Sequence, residues 1–188
     1  MDKTLFVKTT GSHVTIAQIY VDDNVFGFTL QKYTDDLVEV TKKEFEMSMV
    51  GQLTYFLVLQ VKQSLEGYFI SQEEYAKNLV KKFDLESCKT PRTPISTSAN
   101  LSKDDVDPKE SHLIATKWIL KYIKGKIQYG LWYSKDSELS LIAYCDADWA
   151  GNIDDRKSTS GGCFFVGKNI VSWLSKKQSS ISLSMAEA

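Results

Sequence analysis

Two adjacent aspartates inside an apolar, β-branched stretch constrain the fold of this chain more than any other feature. Residues 14–21, VTIAQIYV, carry apolar side chains at both parities, which is typical of a strand covered on both faces. Asp22 and Asp23 follow, and a second strand-like run, NVFGFT, begins directly after them. The pattern predicts a β-hairpin with two carboxylates at its tip.

These two carboxylates repel each other and lose solvation unless they are exposed or neutralised by a cation such as Mg²⁺. Local chemistry also supports a plainer interpretation, because Asp-Asp is a common turn dipeptide. From the residues alone, both a metal site and a solvated turn stay open.

Composition limits the classes of protein to which the chain can belong. The 188 residues can hold one ordinary domain or two small ones, and a hydrophobic content of 43% can supply a core. Because 23 Lys and Arg oppose 24 Asp and Glu, no global positive field attracts nucleic acid. Any contact with nucleic acid must therefore come from local patches.

The three cysteines, Cys88, Cys145 and Cys163, are widely spaced and match no metal-binding pattern. We expect them to be reduced packing residues of an intracellular protein. No run approaches the roughly 20 apolar residues of a membrane helix, and the N-terminus lacks the apolar core of a signal peptide. The chain is therefore expected to be soluble, with no membrane partner.

Periodicity predicts two helices and a further hairpin after the first two strands. Thr34 is a plausible N-cap of the first helix, and Ser71 with Glu74 matches a capping box for the second. Between the helices, two β-rich runs flank a turn that Gly67 supplies. The runs are 54–63 and 67–71, and the helix faces are Leu37, Val40, Glu44 and Met47, then Tyr75, Leu79 and Phe83.

A proline-rich segment follows. Residues 87–109 contain all three prolines and almost no large apolar side chains, which predicts a linker or an extended surface crossing. A helix is predicted over residues 111–124, with Gly125 as its C-terminal cap. Its apolar face is predicted to contain Leu113, Thr116, Leu120 and Ile123.

The C-terminal part has the pattern of a β-meander, with a turn at Lys168-Asn169. The last residues, SLSMAEA, are typical of the start of another helix. The strand-like runs are 129–133, 139–145, 161–167 and 170–175.

The hairpin and four further blocks resemble one known family. IAQIYVDDNVFGFT resembles the metal-binding palm hairpin of reverse transcriptases. Four blocks follow in the family's order: EFEMSMVGQLTYFLVLQV, GYFISQEEYAKNLVKKF, KESHLIATKWILKYIKGKIQYGLWY, and YCDADWAGNIDDRKSTSGGCFFVGKN with its continuation to SMAEA. Together they resemble copia-type LTR retrotransposon polyproteins, from the end of reverse transcriptase to the start of ribonuclease H.

The resemblance implies nucleotidyl transfer by two metal ions, Mg²⁺ or Mn²⁺, on an RNA/DNA template-primer hybrid. By motif, Asp22 matches an essential metal ligand and Asp23 matches its neighbour. The family's third carboxylate comes from a strand upstream of this hairpin, and no matching motif precedes Asp22 here.

A second set of carboxylates resembles the ribonuclease H site. Asp146, in YCDADW, matches the first metal-binding aspartate, although an aspartate that leaves a strand is often a turn residue instead. Asp148 is the weaker candidate because the match places the essential aspartate first. Glu187 matches the first glutamate of the family's Ala-Glu-Ala-Glu, whereas the second, the implied ligand, falls after Ala188.

Lys117, Lys121 and Lys124 form a stripe on the predicted helix, in a region that resembles a thumb-like element able to contact template-primer phosphates. The alternative is a solvated face, because lysines near a helix C-terminus also favour the helix dipole.

Two departures from the family's pattern bear on activity. Val58 stands where the family usually has glycine, in Tyr-Phe-Leu-Gly, so a close backbone approach at the primer-gripping hairpin is expected to be blocked. A stretch that completes the polymerase in the family has no counterpart near Asp107-Pro108, which indicates an internal deletion.

These patterns predict an α+β fold, with a partial palm-like antiparallel sheet and helices followed by a partial ribonuclease H-like β-meander. The incomplete core predicts marginal folding. The predicted function is that of a remnant of an RNA-directed DNA polymerase with ribonuclease H, inactive alone; the alternative is a non-catalytic nucleic-acid-binding or inert fragment. The predicted domains are residues 1–86 (palm and primer grip), 87–109 (linker and deletion junction), 110–128 (thumb-like or connecting helix) and 129–188 (N-terminal part of ribonuclease H).

Overall fold

The computed structural model describes residues 4–21, 23–96, 109–152 and 154–186. This part of the chain is a mixture of antiparallel strands and helices, as the α+β prediction requires at that coarse level. It divides into two compact units, residues 1–53 and residues 54–188, which are described separately.

The first unit is a three-stranded antiparallel sheet followed by a helix. Its elements are β1 (Leu5–Thr10), β2 (His13–Tyr20), β3 (Asp23–Phe28) and α1 (Gln31–Glu44), with the strands in the order β1-β2-β3. β2 and β3 confirm the predicted hairpin, whereas β1 was not predicted. A two-residue loop joins β1 to β2, and Gly11 takes the left-handed backbone, φ 60°, that such a turn needs at its first position.

Two predictions about this unit are wrong. The strand expected to be covered on both faces is β2, and none of its residues is buried; Ile16, for example, is 44% exposed. Thr34 is not an N-cap, because α1 begins after Leu30 and Thr34 lies inside it. Thr34 is buried, and its hydroxyl has no hydrogen-bond partner among the described residues. α1 ends at Glu44, before the predicted face reaches Met47.

The second unit contains two antiparallel sheets and two helices. One sheet has four strands in the order β4-β5-β6-β7, and the other has three in the order β10-β9-β8. The elements are β4 (Tyr55–Phe56), β5 (Leu59–Gln63), β6 (Gly67–Ser71), α2 (Glu73–Lys82), α3 (Glu110–Lys124), β7 (Gly130–Ser134), β8 (Leu141–Ala147), β9 (Thr159–Val166) and β10 (Asn169–Lys177).

The packing of α2 against α3 forms the buried centre of this unit. Val80, Ala115 and Leu120 are 2%, 7% and 8% exposed, and no other apolar side chain in the described part of the chain is buried. Complete burial of a Val or Leu side chain stabilises a fold by about 1.5–3 kcal/mol. These contacts therefore dominate the hydrophobic stabilisation.

The predicted helix faces are only partly correct, because α2 and α3 bury the sides that face each other. Tyr75 and Phe83 are about half exposed, at 48% and 50%, and the buried residue of α2 is Val80. On α3, Leu113 and Thr116 are exposed.

The predicted capping box of α2 is wrong. Ser71 is the last residue of β6, is buried, and pairs with Gln60 on one side and Gly130 on the other. α2 begins after Gln72, and the backbone N–H of Glu74 donates to the side-chain Oε1 of Gln60 at 3.0 Å. The side chain of Gln60, in β5, therefore accepts from the first turn of α2 in place of the predicted cap Ser71.

The first strand of the predicted C-terminal meander, β7, belongs to the four-stranded sheet instead. β7 pairs with β6, so that Leu131 lies opposite Ile70, whereas β8, β9 and β10 confirm the three remaining runs. The side-chain amide of Asn169 connects the sheets: it accepts from the N–H of Ser134 at 2.9 Å and donates to the Ser134 carbonyl at 3.2 Å.

Two details at the C-terminus also differ from prediction. Because Asn169 pairs with Val166, the turn consists of Gly167 and Lys168, one residue earlier than expected. Residues 183–186 form bends and a turn where the start of a helix was predicted. Glu187 and Ala188 lie outside the described residues.

The first part of the predicted linker is an extended crossing over α3. Trp118 Nε1 donates to the carbonyl of Thr93 at 2.9 Å, and Lys124 Nζ donates to the carbonyl of Cys88 at 2.6 Å. Residues 97–108, including the predicted deletion junction, lie outside the described residues. α3 ends at Gly125, as predicted, although that glycine is right-handed at φ −74°.

Residues 54–63, predicted as one strand, are divided by a tight turn at Leu57 and Val58. Phe56 pairs with Leu59, so the loop has two residues, and their φ angles are 48° and 64°. Positive φ at both loop positions defines a type I′ turn, which favours Asn-Gly and disfavours β-branched residues. Glycine would suit this backbone, and Val58 is strained in it.

We expect Val58→Gly to raise the free energy of unfolding by about 1 kcal/mol, because glycine removes the left-handed penalty of the valine. Urea unfolding monitored by circular dichroism measures this change. Val61→Gly is the matched control: it makes the same substitution inside β5, where glycine has no conformational advantage, and should destabilise the protein. A lower stability for Val58→Gly would show that position 58 is not left-handed.

Candidate metal-binding hairpin and the α3 lysines

The β2–β3 hairpin places Asp23 beside its turn. Asp23 is the first residue of β3, is exposed, and pairs with Tyr20 across the hairpin. The loop between them consists of Val21 and Asp22, and Asp22 lies outside the described residues. The hairpin predicted from the sequence thus presents the Asp23 carboxylate to solvent at the end of the sheet.

The turn of this hairpin is strained at Val21. Its φ is 52°, and the residue is 80% exposed, so no burial of its side chain offsets the cost. A β-branched residue in the left-handed region is a conformational outlier that costs about 1–3 kcal/mol. Strain of this kind occurs where a turn must hold a particular side chain in place.

The donor chemistry of the hairpin suits a hard cation such as Mg²⁺, because Mg²⁺ prefers carboxylate oxygens. Among the described residues, however, too few donor groups lie together to hold such an ion. Among the described residues, no three His, Cys, Asp or Glu side chains come together as a metal-binding group. The structure therefore places Asp23 but brings no third ligand to it.

The candidate ribonuclease H aspartates lie in a different setting from the one predicted. Asp146 belongs to β8, and six of the seven residues of this strand are exposed, so Asp146 does not lie in a buried strand. Its Oδ1 accepts from the N–H of Ala147 at 2.9 Å. Asp148 accepts from the N–H of Thr159 and so stabilises the loop between β8 and β9.

The three lysines of α3 do not form one equivalent stripe. Lys117 is exposed and Lys121 is half-buried. Lys124 is half-buried and hydrogen-bonded to the Cys88 carbonyl, so its ammonium group stabilises the extended crossing. Lys124, one of the three candidate phosphate contacts, therefore has a structural role.

A further lysine, which the sequence analysis did not select, lies among aromatic rings. Lys126 Nζ is 4.5 Å from the ring centroid of Tyr129 and 5.7 Å from that of Tyr122. These residues line an apolar cavity of about 430 Å³ with Tyr75, Leu79 and Trp173. The alternation of lysine and tyrosine after Lys121 is the sequence signal for this cluster.

Two exposed ion pairs, both outside these candidate sites, shift the pKa values of their own members. On α2, a hydrogen bond from Lys77 to Glu73 at 2.8 Å lowers the pKa of the Glu73 carboxyl, and the same contact raises the pKa of Lys77. On the meander, a hydrogen bond from Lys177 lowers the pKa of Asp155. Exposed pairs of this kind contribute little to stability.

Comparison with known proteins identifies the family. A model of the reverse transcriptase (RNA-dependent DNA polymerase) family matches residues 1–97. The uncharacterized mitochondrial protein AtMg00810 of Arabidopsis thaliana is 30% identical over 206 residues, covering 90% of this chain and 86% of that protein. The chain therefore belongs to the reverse transcriptase family, as the resemblance of its hairpin implied. No solved structure matches it.

Longer relatives are Pol polyproteins of copia-type retrotransposons. The Pol polyprotein from transposon RE1 of Arabidopsis thaliana is 29% identical over 225 residues, covering all of this chain but 15% of the polyprotein. The Pol polyprotein from transposon TNT 1-94 of Nicotiana tabacum is 25% identical over 230 residues, covering 97% of the chain and 17% of the polyprotein. Both alignments are longer than this chain of 188 residues, so the relatives carry residues with no counterpart here.

No helix in the described ranges combines the length and hydropathy that a membrane crossing requires.

The bond from Lys124 to Cys88 predicts a structural role for this lysine. We expect Lys124→Met to lower the free energy of unfolding by about 1 kcal/mol, because the methionine keeps the aliphatic stem but leaves the Cys88 carbonyl without its donor. Lys117→Met is the control, and the loss of this exposed charge should change stability by less than about 0.5 kcal/mol. Urea unfolding of both variants measures the difference. Equal stabilities would contradict the structural role and return Lys124 to the candidate phosphate contacts.

Proposed function

We propose that this chain carries the metal-binding hairpin of a retrotransposon reverse transcriptase and does not synthesise DNA by itself. The family assignment over residues 1–97 supplies the chemistry. The exposed carboxylate of Asp23, beside a strained two-residue turn, supplies the geometry that supports the proposal. In this proposal Asp22 and Asp23 are the ligands of Mg²⁺ or Mn²⁺, and the partner is an RNA/DNA template-primer hybrid.

The hairpin orients its carboxylates through the backbone. Tyr20 and Asp23 face each other as the last pair of the β2–β3 ladder, which holds the Cα of Asp23 in place. The left-handed backbone of Val21 then turns the chain within the two-residue loop that precedes Asp23. Bound metal ions would supply charge neutralisation for the transferred phosphate.

The proposed lack of unaided polymerase activity follows from the number of ligands. Asp22 and Asp23 supply two carboxylates, and two metal ions held together need further ligands from the protein. Among the described residues, no third carboxylate, histidine or cysteine completes such a group. A third ligand would have to come from outside the described residues.

The C-terminal sheet is proposed to derive from ribonuclease H. The penultimate residue of β8 is Asp146, which matches the first metal-binding aspartate of that enzyme. The carboxylate of Asp148 is held by the backbone of Thr159, which favours Asp146 as the ligand of the two. The proposal applies to residues 141–177, because β7 pairs with β6 and belongs to the other sheet.

We expect the purified chain to show no primer extension on an RNA template with either Mg²⁺ or Mn²⁺. The matched control is the double variant Asp22→Asn, Asp23→Asn, which keeps the size of both side chains and removes both charges. Denaturing gel electrophoresis of a labelled primer measures extension. Extension by the wild-type chain that disappears in the double variant would overturn the proposed inactivity and mean that another carboxylate completes the site.

A separate measurement tests the hairpin as a metal site. Mn²⁺ is paramagnetic, so it should broaden the amide resonances of residues next to Asp23, such as Asn24, while Gly11, in the turn at the opposite end of the same sheet, stays sharp. The double variant should lose this selective broadening and keep the dispersion of a folded protein. Uniform broadening in both proteins would remove Asp22 and Asp23 from the metal assignment.

A further inference from the structure

The second unit contains an apolar cavity of about 430 Å³ that has no part in the proposed metal chemistry. Residues of β5, β6, α2, α3, β7 and β10 line it, together with the turn that follows α3. Its volume falls within the roughly 300–1,000 Å³ of small-molecule sites, and such sites are concave and mostly apolar. A wall built from six elements therefore suits a small ligand better than the flat surface of a protein partner.

The lining combines half-buried aliphatic side chains with exposed aromatic ones. Leu79 and Leu131 are half-buried, whereas Tyr75 is 48%, Tyr129 67% and Trp173 64% exposed. Large apolar side chains that are exposed around a concavity mark a binding groove. Because aromatic rings pack against other rings in offset or edge-to-face arrangements, this lining favours a ligand with an aromatic body.

Lys126 is the one charged residue that lines the cavity among the described residues. The turn after α3 fixes its position: the N–H of Lys126 donates to the carbonyl of Ile123 at 2.8 Å, and the N–H of Tyr129 donates to the carbonyl of Lys126 at 2.9 Å. Its Nζ lies 4.5 Å from the ring centroid of Tyr129 and 5.7 Å from that of Tyr122. Cation–π contacts with both rings therefore hold the ammonium group beside the cavity.

The charges around Lys126 select an anion. In the described part of the chain no carboxylate forms an ion pair with Lys126, and the acidic residues that begin α2, Glu73 and Glu74, are paired with Lys77 at 2.8 and 3.1 Å. A cationic ligand would be repelled by the ammonium group, which also occupies the ring of Tyr129 that such a ligand would need. A carboxylate would instead accept a charge-assisted hydrogen bond from Lys126.

We propose that this cavity binds a small aromatic carboxylate, with its ring among Tyr75, Tyr129 and Trp173 and its carboxylate on the ammonium group of Lys126. The ligand would keep its charge partly exposed and place its apolar body against the aliphatic side chains. The inference does not depend on the proposed polymerase chemistry, because the hairpin that carries Asp23 belongs to the first unit.

An NMR titration of the full chain with three probes tests the charge requirement. Naphthoate, naphthamide and naphthylmethylammonium share one aromatic body and differ in charge. We expect naphthoate to bind most tightly and naphthamide about tenfold more weakly, the loss expected for one hydrogen bond to a charged group. Lys126→Met should abolish this difference, whereas Lys117→Met, an exposed lysine of α3 outside the lining, should preserve it. Equal affinities of the wild-type chain for naphthoate and naphthamide would overturn the proposal.

The same titration locates the ligand. Binding of naphthoate should shift the amide resonances of Gly130 and Leu131 in the lining and leave that of Asn152, in the loop between β8 and β9, unchanged. Ala76→Phe places a ring in the cavity and should abolish binding; if this variant does not fold, the shifts of the wild-type chain still decide the site. Octanoate is the aliphatic control and should bind more weakly. No saturable shift in the lining, or octanoate binding as tight as that of naphthoate, would contradict an aromatic carboxylate site.

Discussion

The packing of α2 against α3 is the interaction on which the second unit depends. Val80, Ala115 and Leu120 are its buried apolar side chains, and hydrogen bonds join α2 to β5 and α3 to the segment that crosses it. Trp118 and Lys124 hold the crossing by donating to backbone carbonyls. Because so few side chains are buried, hydrogen bonds between segments distant in sequence contribute a large share of the specificity of this unit.

A second feature of the structure is backbone strain in its two-residue turns. The β1–β2 turn uses glycine at its left-handed position, whereas the β2–β3 and β4–β5 turns hold Val21, Leu57 and Val58 at positive φ. Branched residues in that region cost conformational energy that a small core offsets poorly. Part of the strain lies in the hairpin that carries Asp23.

The chain belongs to the reverse transcriptase family, and its metal-binding hairpin is a proposal. The reverse transcriptase hairpin is present and exposes Asp23, but the described residues gather no ligand group around it. The chain spans 86% of AtMg00810 and 15% of the RE1 polyprotein. These observations are the basis for proposing that further ligands come from outside the described residues.

The sequence by itself determined the elements and the family. The β2–β3 hairpin, the β5–β6 hairpin, the helices and the last three strands follow from apolar periodicity and turn residues, since these signals act between near neighbours in the chain. β1 escaped prediction, although LFVKTT between Thr4 and Gly11 is a strand-like run. The order of the five sequence blocks along the chain also indicated the family.

Only the tertiary structure decided which groups meet. Ser71 was expected to cap α2, but pairing of β6 on both sides buries it, and Gln60 provides the contact to the helix instead. β7 follows α3 in the chain and pairs with the edge of β6. Lys124 binds the Cys88 carbonyl across 36 positions of sequence. Such contacts depend on where distant segments pack, and local patterns carry no information about distance in space.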